Sequence, residues 1–315
     1  MRFYRLEILE HLSGTNMRFS NSPLAAAAAV IAAAAAPATY ATEMPIQVHH
    51  RTIRVENVDV FYREAGSPDA PAILLLHGFG TSSYMFRELI PALAGEYRLI
   101  APDLPGFGQT KVASAGFEYT FDNLASIIDA FTEAKGLERY AVYVFDYGAP
   151  VGWRLAVRHP EKITAIVSQN GNAYEEGLSA GWADMRRFST PEMIKWQYTE
   201  GVEDTSLIAP ETYQLASAAI DRHGVEAQLD LICDYGSNIK QYAQLHEYFR
   251  RYRPPTLAIW GSRDPFFTPA GARAFQRDNP SAEVRFLDTG HFALETHGRQ
   301  IAAAMQEFLR RNLAR

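Results

Sequence analysis

The stretch that decides the fold of this 315-residue chain is residues 140–157, which read YAVYVFDYGAPVGWRLAV. Its opening apolar residues, 140–143, predict a buried strand, and the pattern from Ala149 to Val157 predicts a helix. Asp146 lies at the sharp turn between them, which is the layout of a nucleophile elbow. An aspartate is already ionised at neutral pH. It can therefore attack a saturated carbon without a base, leaving an alkyl ester on the protein.

Strands and helices alternate along most of the chain. Two short strands, at 51–55 and 58–63, alternate apolar and polar residues, whereas the later apolar runs are continuous, as in strands buried on both faces. The later strands are predicted at 71–76, 98–101, 163–167, 256–260 and 284–287, and further helices at 83–93, 121–134 and 300–313. This alternation predicts an α/β fold with a mostly parallel central sheet and helices on both faces.

A helical segment interrupts the alternation. Residues 173–251 contain no buried-strand run and are rich in aromatic side chains. They predict a helical cap inserted after the sixth strand, which divides the core into two parts, 45–172 and 252–315. The cap and its aromatic residues imply a small, mostly apolar substrate in a closed pocket.

Two further residues complete a catalytic triad with Asp146. Asp264 follows the strand at 256–260, and His291 follows the last strand. In a parallel sheet all three would lie at the carboxyl ends of strands, where ligands bind. His291 is expected to take a proton from the water that attacks the ester. Asp264 is expected to orient His291 and to stabilise its cationic form.

Other residues are expected to support this triad. The backbone N–H groups of Phe79 and Tyr147 are placed to donate to the tetrahedral intermediate. No Gly-x-Ser-x-Gly motif occurs, so no serine competes with Asp146 for the role of nucleophile. The other position for an acid, just after the sixth strand, holds Asn170 and Asn172. Neither is a carboxylate, which strengthens the assignment of Asp264 as the acid of the triad.

Residues 1–41 are predicted to be a signal peptide. Arg18 precedes an alanine-rich apolar run, 24–36, and small residues follow it. The run is too short and too rich in alanine for a persuasive membrane span. The mature chain would begin near Thr39 or Thr42, and the protein would be periplasmic or secreted. The alternative is an alanine-rich arm that is never cleaved.

Composition excludes several partners. The net charge is −6 and no basic cluster occurs, which disfavours nucleic acid. The single cysteine, Cys233, excludes an internal disulfide and has no Cys or His neighbours at metal-ligand spacing. Cys233 is expected to be a small buried apolar residue. Neither a metal nor an organic cofactor is expected, and the co-substrate is water.

Several motifs together resemble those of a known superfamily. From about Arg51 to the C-terminus the chain is similar to α/β-hydrolases, and within them to the branch with aspartate nucleophiles, the epoxide hydrolases and haloalkane dehalogenases. The matching motifs are His77-Gly78-Phe79-Gly80, residues 103–108, the elbow, Gly261-x-x-Asp264 and Gly290-His291.

The resemblance implies hydrolysis of an epoxide to a diol as the first interpretation. That family uses one or two cap tyrosines to protonate the opening alkoxide. Tyr235 occupies a similar place, about twenty residues before the strand that follows the cap, and Tyr174 or Tyr198 is a candidate for the second donor. One departure is Gly80, where many epoxide hydrolases have proline.

Two alternatives stay open. The first is dehalogenation of a haloalkane or a related compound. In haloalkane dehalogenases a Trp directly after the nucleophile usually binds the halide, but Tyr147 stands there. In fluoroacetate dehalogenases arginines bind the substrate carboxylate where this chain has Tyr147 and Pro150. The second alternative is a non-catalytic ligand-binding protein on the same fold. The complete triad argues against that class, since a protein that only binds has no need of three catalytic side chains.

Overall fold

A nine-stranded sheet forms the centre of this computed structural model, which describes residues 46–113, 116–179 and 189–313. The strands lie side by side in the order β1-β2-β4-β3-β6-β7-β8-β9, and β5 pairs with β2. The pairs from β4 through β3 to β9 are parallel, and the pairs of β2 with β1, β4 and β5 are antiparallel. The strands are β1 (His49–Val55), β2 (Val58–Ala65), β3 (Ala72–Leu76), β4 (Arg98–Pro102), β5 (Lys111–Val112), β6 (Tyr140–Phe145), β7 (Ile163–Gln169), β8 (Thr256–Gly261) and β9 (Glu283–Leu287).

Helices cover the sheet. Every residue of β6 and β8 is buried, so these strands are enclosed on both faces, as their continuous apolar sequences predict. The α-helices of the described residues are α1 (Leu89–Leu93), α2 (Phe121–Ala134), α3 (Gly148–Arg158), α4 (Pro191–Thr199), α5 (Pro210–His223), α6 (Val225–Asp234), α7 (Gly236–Tyr252), α8 (Pro269–Asp278) and α9 (Ala293–Asn312).

Capping fixes the start of α2 where the sequence predicts it. The hydroxyl of Thr120 accepts a hydrogen bond from the N–H of Asn123 at 3.2 Å. Asp122 lies in the first turn, where its negative charge is favourable beside the helix N-terminus. The apolar face of α2 is buried and includes Leu124, Ile128 and Phe131.

The structure differs from the prediction at some helices. The helix predicted at 83–93 is a 3₁₀ turn, Ser83–Phe86, followed by the short α1. Pro91 accounts for the break, because a proline inside a helix clashes with the carbonyl four residues earlier. The last helix begins at Ala293 instead of residue 300, and non-helical dihedral angles interrupt it at His297. Helix α8 was not predicted, although Thr268-Pro269 is a recognisable helix start.

The helical segment follows the seventh strand, not the sixth. The difference is β5, a two-residue strand that pairs with β2 through Val58–Val112 and Asp59–Lys111. It is too short to show a periodic pattern in the sequence. Between β7 and β8 the described residues form α4 to α7 and no strand.

Some predictions concern residues outside the described ranges. The predicted signal peptide, 1–41, and part of the predicted cap, 180–188, belong to them. Within the described ranges, none of the helices is long and apolar enough to span a bilayer. The same residues include no group of three or more His, Cys, Asp or Glu side chains that could hold a metal ion.

Candidate active site

Asp146 sits in a strained turn between β6 and α3. Its φ is +46°, in the left-handed region that non-glycine residues rarely adopt. Only glycine fits at the start of α3, because a Cβ on Gly148 would lie 2.3 Å from the backbone oxygen of Leu76. The helix can therefore approach β3 closely and hold the turn, which projects the carboxylate from the end of the sheet.

The three residues of the predicted triad are brought together. Nδ1 of His291 lies 2.7 Å from Oδ2 of Asp264, and Nε2 lies 3.7 Å from Oδ2 of Asp146. The exposed fractions are 6% for each aspartate and 2% for the histidine. The short contact orients the imidazole, and the longer one leaves its second nitrogen facing the nucleophile.

Backbone amides hold the carboxylate of Asp146. The N–H of Phe79 donates to Oδ1 at 2.6 Å, and the N–H of Tyr147 also hydrogen-bonds the carboxylate. These are the two groups predicted to form the oxyanion hole. Because Oδ1 is engaged by the Phe79 amide, Oδ2 on the His291 side is the oxygen assigned here to attack a substrate.

The charges of the triad are coupled. Burial raises the pKa of Asp146, and the His291 charge and the two amide donors partly oppose that rise. Burial disfavours the cationic form of His291, but the neighbouring Asp264 and Asp146 carboxylates outweigh it, so the pKa of His291 is raised. Ester formation would neutralise Asp146 and remove its share of that rise. The pKa of His291 then falls, so more of the imidazole is neutral and free to take a proton at the stage that needs a base.

Asn170 supports the acid from the end of β7. Its Nδ2 donates at 2.5 Å to Oδ2 of Asp264, the oxygen that also contacts His291. Its Oδ1 accepts from the N–H of Gly261 at 3.1 Å, and its φ is +49°. The sequence reasoning used Asn170 only to exclude a second acid. Its position after a strand of the parallel sheet was the available signal.

Other donors complete the surroundings of Asp264. The N–H groups of Phe266 and Phe267 donate to its Oδ1 at 2.7 and 3.1 Å. Aromatic rings enclose His291, with centroid separations of 4.7 Å to Phe145 and 5.0 Å to Phe266. The acid is thus fully hydrogen-bonded, and the base lies in a largely apolar enclosure.

Tyr235 is the cap tyrosine that lies closest to the predicted role. It occupies the junction between α6 and α7, is 5% exposed, and its ring centroid is 6.1 Å from that of Tyr147. Its hydroxyl is hydrogen-bonded to that of Tyr242, which also accepts from Asn172 at 3.2 Å. Burial, Tyr242 and the charge of Asp146 together raise the pKa of Tyr235 well above its ordinary value, so the phenol keeps its proton.

The other two cap tyrosines are not placed as donors to a group on the nucleophile. The hydroxyl of Tyr198 donates to the backbone oxygen of Gly80 at 2.9 Å, and its ring stacks on Phe292. Tyr174 stacks on His246 with a centroid separation of 4.3 Å. The guanidinium group of Arg277 also lies over the Tyr174 ring, 5.0 Å from its centroid. Both tyrosines pack the cap against the core, which corrects the prediction that either is the second donor.

Cys233 also departs from expectation, because it is exposed. It lies one residue before the end of α6, and the buried residues of that helix are Ala227, Gln228 and Leu231. The cysteine lies off that buried face. Its expected role as a small buried apolar residue is therefore wrong.

The chain matches the family model described as alpha/beta hydrolase fold over residues 71–194 and 233–298. It is 44% identical over 268 residues to an uncharacterized hydrolase of Saccharomyces cerevisiae, covering 79% of this chain and 92% of the relative. It is 25% identical over 275 residues to a haloalkane dehalogenase of Psychrobacter cryohalolentis, covering 80% and 88% respectively.

Solved structures share the fold. Epoxide hydrolase I of potato, Solanum tuberosum, aligns with a TM-score of 0.69 at 20% identity, over 84% of this chain and 100% of that structure. A putative lipase from Acinetobacter baumannii aligns as well, with a TM-score of 0.74. Because enzymes with different substrates align this way, the likeness bears on fold alone. With the family match and the yeast relative, it shows that the chain belongs to the α/β-hydrolase fold family and is a hydrolase.

Proposed function

We propose that this hydrolase opens epoxides to diols through an alkyl ester on Asp146. The observation that carries the proposal is a buried carboxylate at the elbow, with a His–Asp couple on one side and a cap phenol, Tyr235, near the other. A carboxylate reacts with a saturated carbon without prior deprotonation. A neutral phenol supplies the proton that a departing alkoxide needs.

In the first half of the reaction, Oδ2 of Asp146 attacks one carbon of the epoxide. The bond between that carbon and the ring oxygen breaks, and the electron pair stays on the oxygen. The oxygen takes a proton from Tyr235, which leaves a neutral ester on Asp146 and a phenolate on the tyrosine. The aromatic enclosure excludes water at this stage, which favours attack by the carboxylate.

In the second half, water attacks the ester carbonyl carbon while His291 takes one of its protons. The amides of Phe79 and Tyr147 stabilise the oxyanion. The intermediate expels the alkoxide of the diol, which takes the proton back from His291. The second water proton, left on the carboxyl group, restores the Tyr235 hydroxyl. The net reaction is epoxide plus water to diol.

Haloalkane dehalogenation is the second candidate. Relatives at 25–29% identity over most of the chain carry that name. The same attack by Asp146 on a halogenated carbon would form the same kind of ester and release a halide. Tyr147 stands where the resemblance places a halide-binding Trp, and for this reason we rank the epoxide first.

A His291→Gln variant separates the candidates. Without the base, the ester should form and persist. The variant is incubated with 1,2-epoxybutane or 1-bromobutane, and the intact mass is measured. An increase equal to the whole epoxide supports the proposal, and an increase equal to a butyl group alone makes this a dehalogenase.

Two further variants serve as controls for the accumulation of the ester in His291→Gln. His291→Gln combined with Asp146→Asn should gain no mass, because the nucleophile is absent. His297→Gln, six residues further along the chain in α9, should gain none either, because its ester would still hydrolyse. If His291→Gln itself gains no mass from either compound, both reactions are ruled out for these substrates, and the non-catalytic binding protein gains support.

A further inference from the structure

The hydroxyl of Tyr147, the residue directly after the nucleophile, is buried without a hydrogen-bond partner among the described residues. The side chain is 1% exposed. Leaving a buried hydroxyl unpartnered costs about 1–3 kcal/mol of stability, so each such group in a native structure invites an explanation. The functions assigned so far use only the backbone N–H of this residue.

The surroundings of this ring connect it to the reacting groups. Its centroid lies 5.5 Å from Phe79, 5.0 Å from Phe121 and 6.1 Å from Tyr235. After burial, the charge of Asp146 is the largest influence that raises the pKa of the Tyr147 hydroxyl. The two phenols, one from the core and one from the helical segment, thus adjoin each other within the field of the same carboxylate.

We propose that the Tyr147 hydroxyl is a catalytic donor to the oxygen that leaves the substrate, acting as a pair with Tyr235. This inference rests on the proposed epoxide hydrolysis and adds a residue to it. As the ring opens, one phenol transfers its proton to the oxygen and the other donates a hydrogen bond to it. Only one proton moves, so the balance of the reaction is unchanged.

The electrostatics suit this role. Burial and the Asp146 carboxylate keep both phenols neutral before the reaction, since each has a pKa raised well above the ordinary value. When Asp146 becomes a neutral ester, its contribution to both pKa values disappears. The phenols therefore become better donors while negative charge develops on the departing oxygen. In the free enzyme the Tyr235 hydroxyl is engaged with Tyr242, whereas the Tyr147 hydroxyl has no partner within the part of the chain that the structure describes.

The test measures how fast the trapped ester forms. Tyr147→Phe is introduced into the His291→Gln variant, and the mass increase is followed in time. Two epoxides of similar size are compared, 1,2-epoxypropane and 3,3,3-trifluoro-1,2-epoxypropane. We expect the phenylalanine to slow ester formation from 1,2-epoxypropane by roughly 10- to 100-fold. The loss should be smaller for the trifluoro compound, whose alkoxide is less basic and needs less help.

A matched control is Tyr248→Phe in the same background, because the Tyr248 hydroxyl is also buried and unpartnered but belongs to α7. It should leave both rates unchanged. Thermal unfolding of Tyr147→Phe should show no loss of stability, because an unpartnered hydroxyl is removed.

The outcomes are distinct. Unchanged rates in Tyr147→Phe overturn this inference, while the adduct itself still supports epoxide hydrolysis. Equal slowing with both epoxides also overturns it, because a structural effect does not depend on the leaving group. No adduct in His291→Gln alone overturns the proposed function and this inference with it.

Discussion

At the level of single residues, the Asp264 carboxylate sets the charge state of His291. It lies 2.7 Å from Nδ1 and raises the pKa of the imidazole against the effect of burial. Only neutral His291 can act as base. The rate of ester hydrolysis should therefore fall as the pH falls through the pKa that His291 has in the ester intermediate, where the Asp264 charge still raises it and the Asp146 charge no longer does.

Asp264→Asn should move the acidic limb of the pH profile, where the rate falls, to lower pH. The reason is that the substitution removes the charge that stabilises the His291 cation. The rate at high pH should also fall, by about a hundredfold, because the imidazole loses its orienting partner. The measurement is the pH profile of kcat for both proteins. A limb that stays at the same pH in the variant would show that Asp264 does not set the charge of His291.

Asn170 offers a second test at this scale. Asn170→Gly keeps the positive φ of this position but removes the donor to Asp264. Ester hydrolysis should slow roughly tenfold, since a hydrogen bond to a charged group contributes about 1.5–3 kcal/mol. Ester formation should be unchanged, because it does not use His291. Single-turnover kinetics resolve the two steps, and slowing of both equally would argue for general distortion.

Asn170→Ala is the matched variant. It loses the same donor and also places a Cβ in the left-handed region. We expect it to be about 1 kcal/mol less stable than Asn170→Gly, as measured by urea unfolding. Equal stabilities would show that the backbone conformation contributes nothing at this turn.

At the level of secondary-structure elements, Arg154 of α3 ties the core to the junction that carries Tyr235. Its side chain is 3% exposed. It donates at 2.5 Å to Asp122 of α2, at 2.7 Å to Asn238 and at 3.1 Å to Ser237. On the other side of Tyr235, the Asp234 carboxylate accepts from the first N–H of α2 at 2.8 Å. Both flanks of Tyr235 are therefore fixed to the core.

Arg154→Met should loosen this junction. We expect a loss of about 2 kcal/mol of stability, and slower ester formation because Tyr235 is less well held. Ester hydrolysis should be unaffected. Arg158→Met is the control, since Arg158 is exposed on the same helix and contacts only Ser126 among the hydrogen bonds found for its side chain. Thermal unfolding and trapped-ester rates test both, and similar effects of the two variants would contradict the role of Arg154.

The predictability of the elements follows from their length and burial. The elbow strand and α2 were predicted because apolar patterns of this length are local signals. The break between Phe86 and Leu89 was missed, although Pro91 in the sequence indicated it. The strand β5 could not be predicted, because two residues carry no period and the pairing depends on β2, far away in the sequence.

At the level of the whole molecule, the triad was predictable and the roles of the cap tyrosines were not. Asp146, Asp264 and His291 each follow a strand, and parallel strands bring such positions to one edge of the sheet. Tyr174, Tyr198 and Tyr235 lie outside the strands, and which of them faces the nucleophile depends on how the helices pack. Nothing in the local sequence records that packing, and only the structure shows that Tyr235 is the candidate whose ring packs against Tyr147, next to the nucleophile.

We propose that the protein is exported, on the strength of the apolar, alanine-rich run at 24–36 and the small residues after it. Expressed in a bacterial host from its own first codon, it should appear in the periplasmic fraction with a new N-terminus near Thr39 or Thr42. N-terminal sequencing of that fraction is the measurement. An uncleaved chain confined to the cytoplasm would contradict export.

The central claim is that Asp146 itself forms the ester, and the path of one oxygen atom tests it most directly. The enzyme turns over an excess of 1,2-epoxybutane in H₂¹⁸O, and tryptic peptides are then prepared in ordinary water. The peptide from 140 to 154 carries Asp146 as its single side-chain carboxylate, so its mass reports on that residue alone.

If the ester forms and water attacks its carbonyl carbon, this peptide gains ¹⁸O at Asp146, and the first diol released carries an oxygen from the carboxylate. A diol that takes its new oxygen from water in the first turnover, with the peptide unlabelled, would contradict the account. Asp146 would then be a base that activates water, and no ester would lie on the path.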